Sequence, residues 1–328
     1  MNFKVLLIGC GDIGSRHLQA ISTLPEIGKI YVVDPCQHSL ELGKKRLSEV
    51  PKVNQHIKFE WLNHIENISK DGDLCIVATQ AQDRFNLIKK LSTKLNYRRF
   101  VIEKIVTQSV QEYKKMESFA LEKNLSIWIN CQRQTFSIHK YIKSQLTPSE
   151  PIIFNVSGEN WGLATNGIHE TSLFVFYDAP VKIHLEAICV DPFLYPSKRG
   201  TAIFDLSGFV CGYTEKGSKL ILNFSNQKRK SICTSIISPR ARFRVDHINK
   251  LAYESFQSTH WRWERIPMTD NLLISFTSRK LISDILHTGR CDLPSLSQCF
   301  PAHEFILTAL LPQFNSLLNQ NNDYCPIT

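Results

Sequence analysis

The chain has 328 residues, 43% of them apolar and 21% charged, with a net charge of +9. At roughly 100–200 residues per domain, the length predicts two domains, and the composition excludes a disordered chain. The basic excess is scattered, its densest run being Lys228-Arg229-Lys230. Nucleic-acid binders concentrate charge in a stripe, so no nucleic-acid partner is expected, and the excess reads as an anionic small substrate or plain solubility.

No apolar run nears the roughly 18 residues that span a bilayer, and no membrane association is expected. The stretch Val5-Leu6-Leu7-Ile8 runs into glycines rather than a cleavage site, unlike an export signal. The ten cysteines include no C-x-x-C pair, so neither a zinc site nor a redox site is signalled. These features read as a cytoplasmic protein with reduced thiols.

Residues 1–130 alternate short apolar runs with helix-length segments. Strands are predicted at Phe3–Ile8, Lys29–Val33, Ile57–Trp61, Leu74–Ala78, Phe100–Glu103 and Leu125–Asn130. Helices are predicted at Ser15–Leu24, Ser39–Glu49, Asp83–Leu95 and Ser109–Lys123. Val- and Ile-rich runs with little alternation are the mark of parallel strands buried on both faces, and strand–helix repetition predicts a doubly wound α/β sheet. Residues 131–328 read as a second domain. Closely spaced strands are predicted at Ile152–Ser157, Lys182–Cys189, Ala202–Phe209, Lys219–Phe224 and Ser231–Ile237, with a hairpin turn at Thr214–Ser218. A helix is expected around His169–Tyr177, and further helices at 270–287 and 301–318. The fold class is therefore α/β, with a C-terminal α+β domain built on an open, mainly antiparallel sheet. The polar tail Asn319–Thr328 is expected to be loose.

The strongest motif is Gly9-Cys10-Gly11-Asp12-Ile13-Gly14, which follows the first strand and opens the first helix, the context a dinucleotide fingerprint needs. Gly9 permits the turn, Gly11 admits a pyrophosphate to the backbone, and Gly14 lets helix and strand pack closely. Asp12 and Ile13 belong to the same cofactor-binding loop. Asp34 ends the second strand 20 residues beyond Gly14, where a carboxylate bonds the ribose hydroxyls. It would repel the extra phosphate of NADP, and Pro35-Cys36-Gln37-His38 supply no arginine, so the expected cofactor is NAD. A helix cap for Ser39–Glu49 is the competing reading of Asp34.

Lys104 follows the fifth strand, beyond whose carboxyl end ligands sit in open α/β sheets; by itself it reads equally as a solvent lysine beside Glu103. His169, in Asn166-Gly167-Ile168-His169, reads as a general acid/base after a glycine turn or as a structural histidine. Arg133 ends the last strand of the first domain, where it holds a ligand or simply marks the junction. Arg240, Arg242 and Arg244 share one face if they lie on a strand. His260-Trp261-Arg262-Trp263 reads as packing, a sugar-stacking loop or a subunit contact.

Taken together, the glycine fingerprint continued by Ser15-Arg16-His17, then Val77-Ala78-Thr79, Glu103-Lys104 and a Gly-x-His, resemble the Gfo/Idh/MocA family of oxidoreductases. That resemblance implies an N-terminal Rossmann domain, a hydride transfer with NAD(P) at a hydroxyl or keto carbon of a sugar, and subunits joined through the open sheet face as a homodimer or homotetramer. It implies Lys104 and His169 as the acid/base pair, Thr79 and Glu103 beside the cofactor, and Asn166 and Arg133 toward the substrate. The segment Asn160-Trp161-Gly162-Leu163 is similar to that of members from bacterial surface-polysaccharide sugar pathways. The chain departs from the family pattern at Gln80, Arg84, Ile105, Thr165 and Ser172, the last two standing where carboxylates are usual. Two alternatives stand beside the sugar oxidoreductase, the first favoured by the changes at Thr165 and Ser172 and the second implied by the resemblance. One is a catalytically silent NAD-binding sensor or assembly protein, and the other an enzyme that uses NAD without consuming it.

Overall fold

The computed structural model describes residues 2–68, 71–160, 162–197, 200, 202–226 and 231–328; Trp161 and the basic run 228–230 lie outside them. The chain divides into two compact units. Met1–Thr107, Lys114–Gln132 and Asn271–Ser297 form the first, and Gln108–Tyr113, Arg133–Asp270 and Gln298–Thr328 form the second.

The first unit carries a parallel sheet of six strands, β1 (Phe3–Ile8), β2 (Ile27–Val33), β3 (Lys58–Leu62), β4 (Leu74–Val77), β5 (Arg99–Ile102) and β6 (Ser126–Ile129), in the order β3-β2-β1-β4-β5-β6. Its connections run through helices α1 (Gly14–Ile21), α2 (Gln37–Ser48), α3 (Arg84–Lys94) and α4 (Val110–Glu122). The order reverses between β1 and β4, which creates the crevice where such sheets bind ligands. Val5, Leu6, Leu7, Leu74 and Cys75 are fully buried, because helices on both faces leave the central strands no solvent side. The expected boundary after residue 130 needs correction in one respect. The helix Ile274–Thr288, assigned from sequence to the second domain, belongs to the first unit, where Leu281, Ile282 and Ile285 join Leu18 and Ile21 in one core.

In the second unit, helix α5 (Ser137–Gln145) and helix α6 (Leu163–Asp178) accompany a mixed sheet of eight strands. Strand β7 (Ile153–Glu159) is central, parallel to one neighbour, Lys219–Ser225, and antiparallel to the other, Ser231–Ile237. The remaining pairings in this sheet are antiparallel. Alternation is clean: Phe154, Val156, Leu220, Leu222, Ile232 and Ile236 are buried on one face, against which α6 packs through Phe174. The other face leaves Ile153, Phe209, Tyr213 and Ile237 exposed.

Three expectations for this unit are corrected. Ala202–Phe209 is not one strand: Phe204–Asp205 pairs with Tyr195–Pro196, and a new strand begins at Gly208, whose φ of +132° breaks the run. The tail is not loose, since Cys325, Ile327 and Thr328 are buried, with Gln108 accepting the N–H of Cys325 at 2.8 Å and donating to the carbonyl of Ile327 at 2.9 Å. Finally, Gly167 forms no turn but sits inside α6, where a Cβ would come 3.3 Å from Ile306; the turn lies at Gly162, with φ +69°.

Candidate functional site

The glycine turn is shaped by backbone approach. Gly9 has φ +84°, and a Cβ there would lie 2.8 Å from the Ala78 carbonyl, because the ends of β1 and β4 abut. A Cβ on Gly14 would lie 1.8 Å from the Gly9 oxygen, whereas one on Gly11 would meet no atom within 4 Å. Gly11 therefore faces open space at the start of α1, where free N–H groups and the helix dipole favour phosphate. This cradle fits a dinucleotide.

Asp34 is 8% exposed. Its Oδ2 accepts the Cys10 N–H at 2.7 Å and its Oδ1 the Cys36 N–H at 2.9 Å, so one carboxylate ties the end of β2 to the glycine turn. Arg46, in the last turn of α2, reaches the same loop. It donates to the Asp12 carbonyl and to Ser15 Oγ, both at 2.6 Å, and pairs with the Asp12 carboxylate at 3.0 Å. The sequence gives no local sign of this basic group.

The carboxylate of Glu103, a residue expected beside the cofactor, meets His17 Nε2 at 3.0 Å and accepts from the Asn130 amide. Burial alone would raise the Glu103 pKa, but the His17 and Asn130 bonds outweigh it and hold the carboxyl below its ordinary value. His17 Nδ1 lies 3.2 Å from Ser278 Oγ, which also accepts from Gln132, so a polar chain runs from Glu103 through the interior of the first unit. Lys104 itself is 4% exposed, and its peptide bond to Ile105 is cis. Thr79 Oγ1 donates to the Gln80 carbonyl at 3.2 Å.

In the second unit, Asn166 and His169 lie one turn apart on α6 and are both half-buried. The first turn of that helix is capped from a distance. Asp205 Oδ1 accepts the N–H groups of Ala164 at 2.9 Å, Thr165 at 3.1 Å and Leu206 at 2.9 Å, and burial raises its pKa. Asn160, Thr165, Asn166, Tyr195 and Asp205 line a cavity of about 320 Å³. Sequence reasoning missed Asp205 because its partners lie some 40 residues away. Ser172 is buried, 3.8 Å from Cys299 Sγ. Arg133 pairs at 2.6 Å with Glu170, which is fully buried, so its charge is answered by the protein. Arg242 and Arg244 lie on the strand Ala241–Asp246 with their guanidinium groups 3.9 Å over Trp261 and 5.1 Å over Trp263; Arg240 precedes that strand and pairs with Glu150.

Among the described residues, no helix is long and apolar enough to cross a membrane. Comparison with curated proteins finds no match. Many solved structures share the fold, among them the following three. A UDP-N-acetylglucosamine 3-dehydrogenase from Acidithiobacillus ferrooxidans superposes with a TM-score of 0.72 at 12% identity, over 94% of this chain and 97% of its own. A Gfo/Idh/MocA family oxidoreductase from Vibrio cholerae gives 0.70 at 13%, over 97% and 100%. A 3-ketoreductase from Actinomadura kijaniata, in complex with TDP-benzene and NADP, gives 0.70 at 14%, over 94% and 96%. Residues 3–131 match the family described as "Oxidoreductase family, NAD-binding Rossmann fold". Over these residues the chain is similar to the NAD-binding Rossmann unit of that oxidoreductase family.

Proposed function

We propose that the protein is an NAD-dependent oxidoreductase that moves a hydride to or from a hydroxyl or keto carbon of a sugar or sugar nucleotide. The observation that carries this reading is the alignment of three strand ends. Ile8 pairs with Val77 and Val77 with Ile102. The glycine turn, Thr79 and Lys104 therefore leave the same edge of the sheet on neighbouring strands, each about 5 Å from the next. That edge is where open α/β sheets take ligands.

When bound, the nicotinamide supplies or accepts the hydride. The glycine turn and Asp34 hold the dinucleotide, and the Asp34 carboxylate disfavours a 2′-phosphate. Lys104 holds a proton at the substrate oxygen, donating it as a carbonyl is reduced and receiving it as an alcohol is oxidised. His169 serves as the second acid/base, and Asn166, three residues earlier on the same helix face, orients the substrate hydroxyls. Where Thr165 lacks a carboxylate, Asp205 brings one to the first turn of α6. The amides and hydroxyls around its cavity match a hydroxyl-rich ring, and Tyr195 adds an aromatic surface. The exposed apolar residues of the second sheet suit a homodimer or homotetramer contact, as the family resemblance implies.

The test is turnover. Purified protein with NAD or NADH and a panel of UDP- and TDP-linked sugars is followed at the reduced-cofactor absorbance. Lys104→Ala should lower the rate by about 10²-fold or more while leaving NADH affinity unchanged. Near-normal turnover in that variant would remove Lys104 from the reaction. Product formed without a net absorbance change would indicate a cofactor that is not consumed.

A further inference from the structure

Arg84 opens helix α3, yet its side chain is 1% exposed. Its Nη1 donates to the carbonyl oxygens of Glu103 at 2.6 Å, Ile105 and Val106 at 3.2 Å, and its Nη2 donates to that of Thr79. These acceptors come from two loops. Thr79 lies just past β4, and Glu103, Ile105 and Val106 lie just past β5, with Glu103 and Ile105 flanking Lys104 on either side. The ladder bond from the Glu103 N–H to the Val77 carbonyl, at 3.0 Å, joins the same two strands one step earlier.

Burying a guanidinium is costly, and arginine does not escape the cost by losing its proton. The return lies in geometry. The guanidinium presents five N–H donors in fixed directions, so one rigid group satisfies carbonyls from both loops and fixes their separation. A lysine offers a single nitrogen on a flexible stem and cannot span from Thr79 to Ile105. A hydrophobic residue would leave all four carbonyls without this donor, those of Ile105 and Val106 in a buried setting.

We propose that Arg84 is a positioning residue that clamps the loop after β4 to the loop after β5 and thereby holds Lys104 in register with Thr79 and the glycine turn. This inference rests on the reading of Lys104 given above. Arg84 acts through the backbone on both sides of Lys104.

Hydrogen exchange on the NADH-bound full-length protein is the direct test, with Arg84→Lys as the first variant. Arg84→Gln, a shorter neutral side chain with a planar amide, is the second. Exchange should accelerate together at residues 79–81 and 103–107, while the rest of the parallel sheet keeps its protection. NADH affinity should stay within about threefold, and kcat on the sugar nucleotide found by the panel should fall about 10–100-fold, since a misplacement near 1 Å can cost about 10²-fold. In a Lys104→Ala background the same substitutions should lower the residual rate no further. Unchanged exchange in both loops, or an equal loss of kcat with and without Lys104, overturns the inference. So does failure of both variants to fold, which would assign Arg84 to the fold as a whole. If Lys104→Ala alone turns over normally, the reading of Lys104 falls, whereas an inactive Lys104→Ala beside a fully active Arg84→Lys removes only the clamp.

Discussion

The Asp34 carboxylate accepts the N–H of Cys10 through one oxygen, at 2.7 Å, and that of Cys36 through the other, at 2.9 Å. It is thereby fixed at the mouth of the glycine turn rather than free to swing away from a ligand. Arg46 is engaged by Asp12 and Ser15, so the fixed charge at the end of β2 is negative. NADH should bind more tightly than NADPH by about tenfold or more, or about 1.4 kcal/mol. Asp34→Ala should weaken NADH and narrow that ratio. Fluorescence titration of both reduced cofactors measures it, and equal affinities in the parent protein would contradict the assignment.

Gly11 and Gly14 separate cofactor binding from folding. Alanine at Gly14 places a Cβ 1.8 Å from the Gly9 oxygen, whereas alanine at Gly11 meets nothing within 4 Å. Gly11→Ala should keep the parent's stability to within about 0.5 kcal/mol, as for an open surface position, yet lose most of its NADH affinity because the methyl group takes the pyrophosphate's space. Gly14→Ala should unfold at lower denaturant, with any affinity loss following from that. Urea curves beside NADH titrations test the pair; an unaffected affinity in Gly11→Ala would place the pyrophosphate elsewhere.

His139 and His247 form a buried pair in the second unit. Their Nε2 atoms are 2.8 Å apart, and His139 Nδ1 lies 2.6 Å from the Tyr177 hydroxyl. Burial, then each other's charge and that of Arg133, pushes His139 well below its ordinary pKa; burial and then Arg133 bring His247 down to about 3. The unfolded chain protonates both near 6.5, so it binds more protons than the native state below that pH. Stability is therefore fully present above about pH 7 and is lost as pH falls through 6.5 toward the folded values, by up to about 1.4 kcal/mol per pH unit for each histidine. Urea unfolding at pH 7.5, 6.0 and 5.0 should show this slope, and His247→Gln should reduce it. Parallel curves for the two proteins would refute the assignment.

The parallel sheet was legible because buried parallel strands write themselves as local apolar runs, and Phe3–Ile8 reads the same in sequence and structure. The glycine turn and Asp34 were legible for a related reason: their spacing is set by one strand–helix–strand unit. What escaped is long-range. The tail looked loose because its polar stretch precedes Cys325 and Ile327, and their partner Gln108, which holds Ile327 through its side-chain amide, lies 219 residues away from Ile327. Ala202–Phe209 reads as a single strand because its apolar content conceals Asp205, which turns aside to serve α6. Arg84 read only as a departure from a family pattern, since nothing nearby in sequence tells that its four carbonyl partners lie on two loops.

Asp205 yields the sharpest contrast between a structural and a catalytic contribution. Its Oδ1 caps the first turn of α6 with bonds to Ala164 and Thr165, and that helix carries Asn166 and His169. Asp205→Ala removes the cap and should cost about 0.5–2 kcal/mol. Asp205→Asn keeps an amide oxygen in the same place. Because burial raises the Asp205 pKa, the ionised carboxylate is the costly form: its contribution is fully present below the unfolded value and is lost as pH rises through the folded one. The neutral asparagine avoids that loss, so Asp205→Asn should match or exceed the parent's stability at pH 7. Turnover should part from stability. If the carboxylate accepts a substrate hydroxyl in the adjoining cavity, Asp205→Asn raises KM for the sugar nucleotide while the Tm holds and NADH affinity is unchanged. Thermal unfolding, NADH titration and steady-state kinetics on the one variant decide the matter; parental KM together with parental Tm would confine Asp205 to the cap.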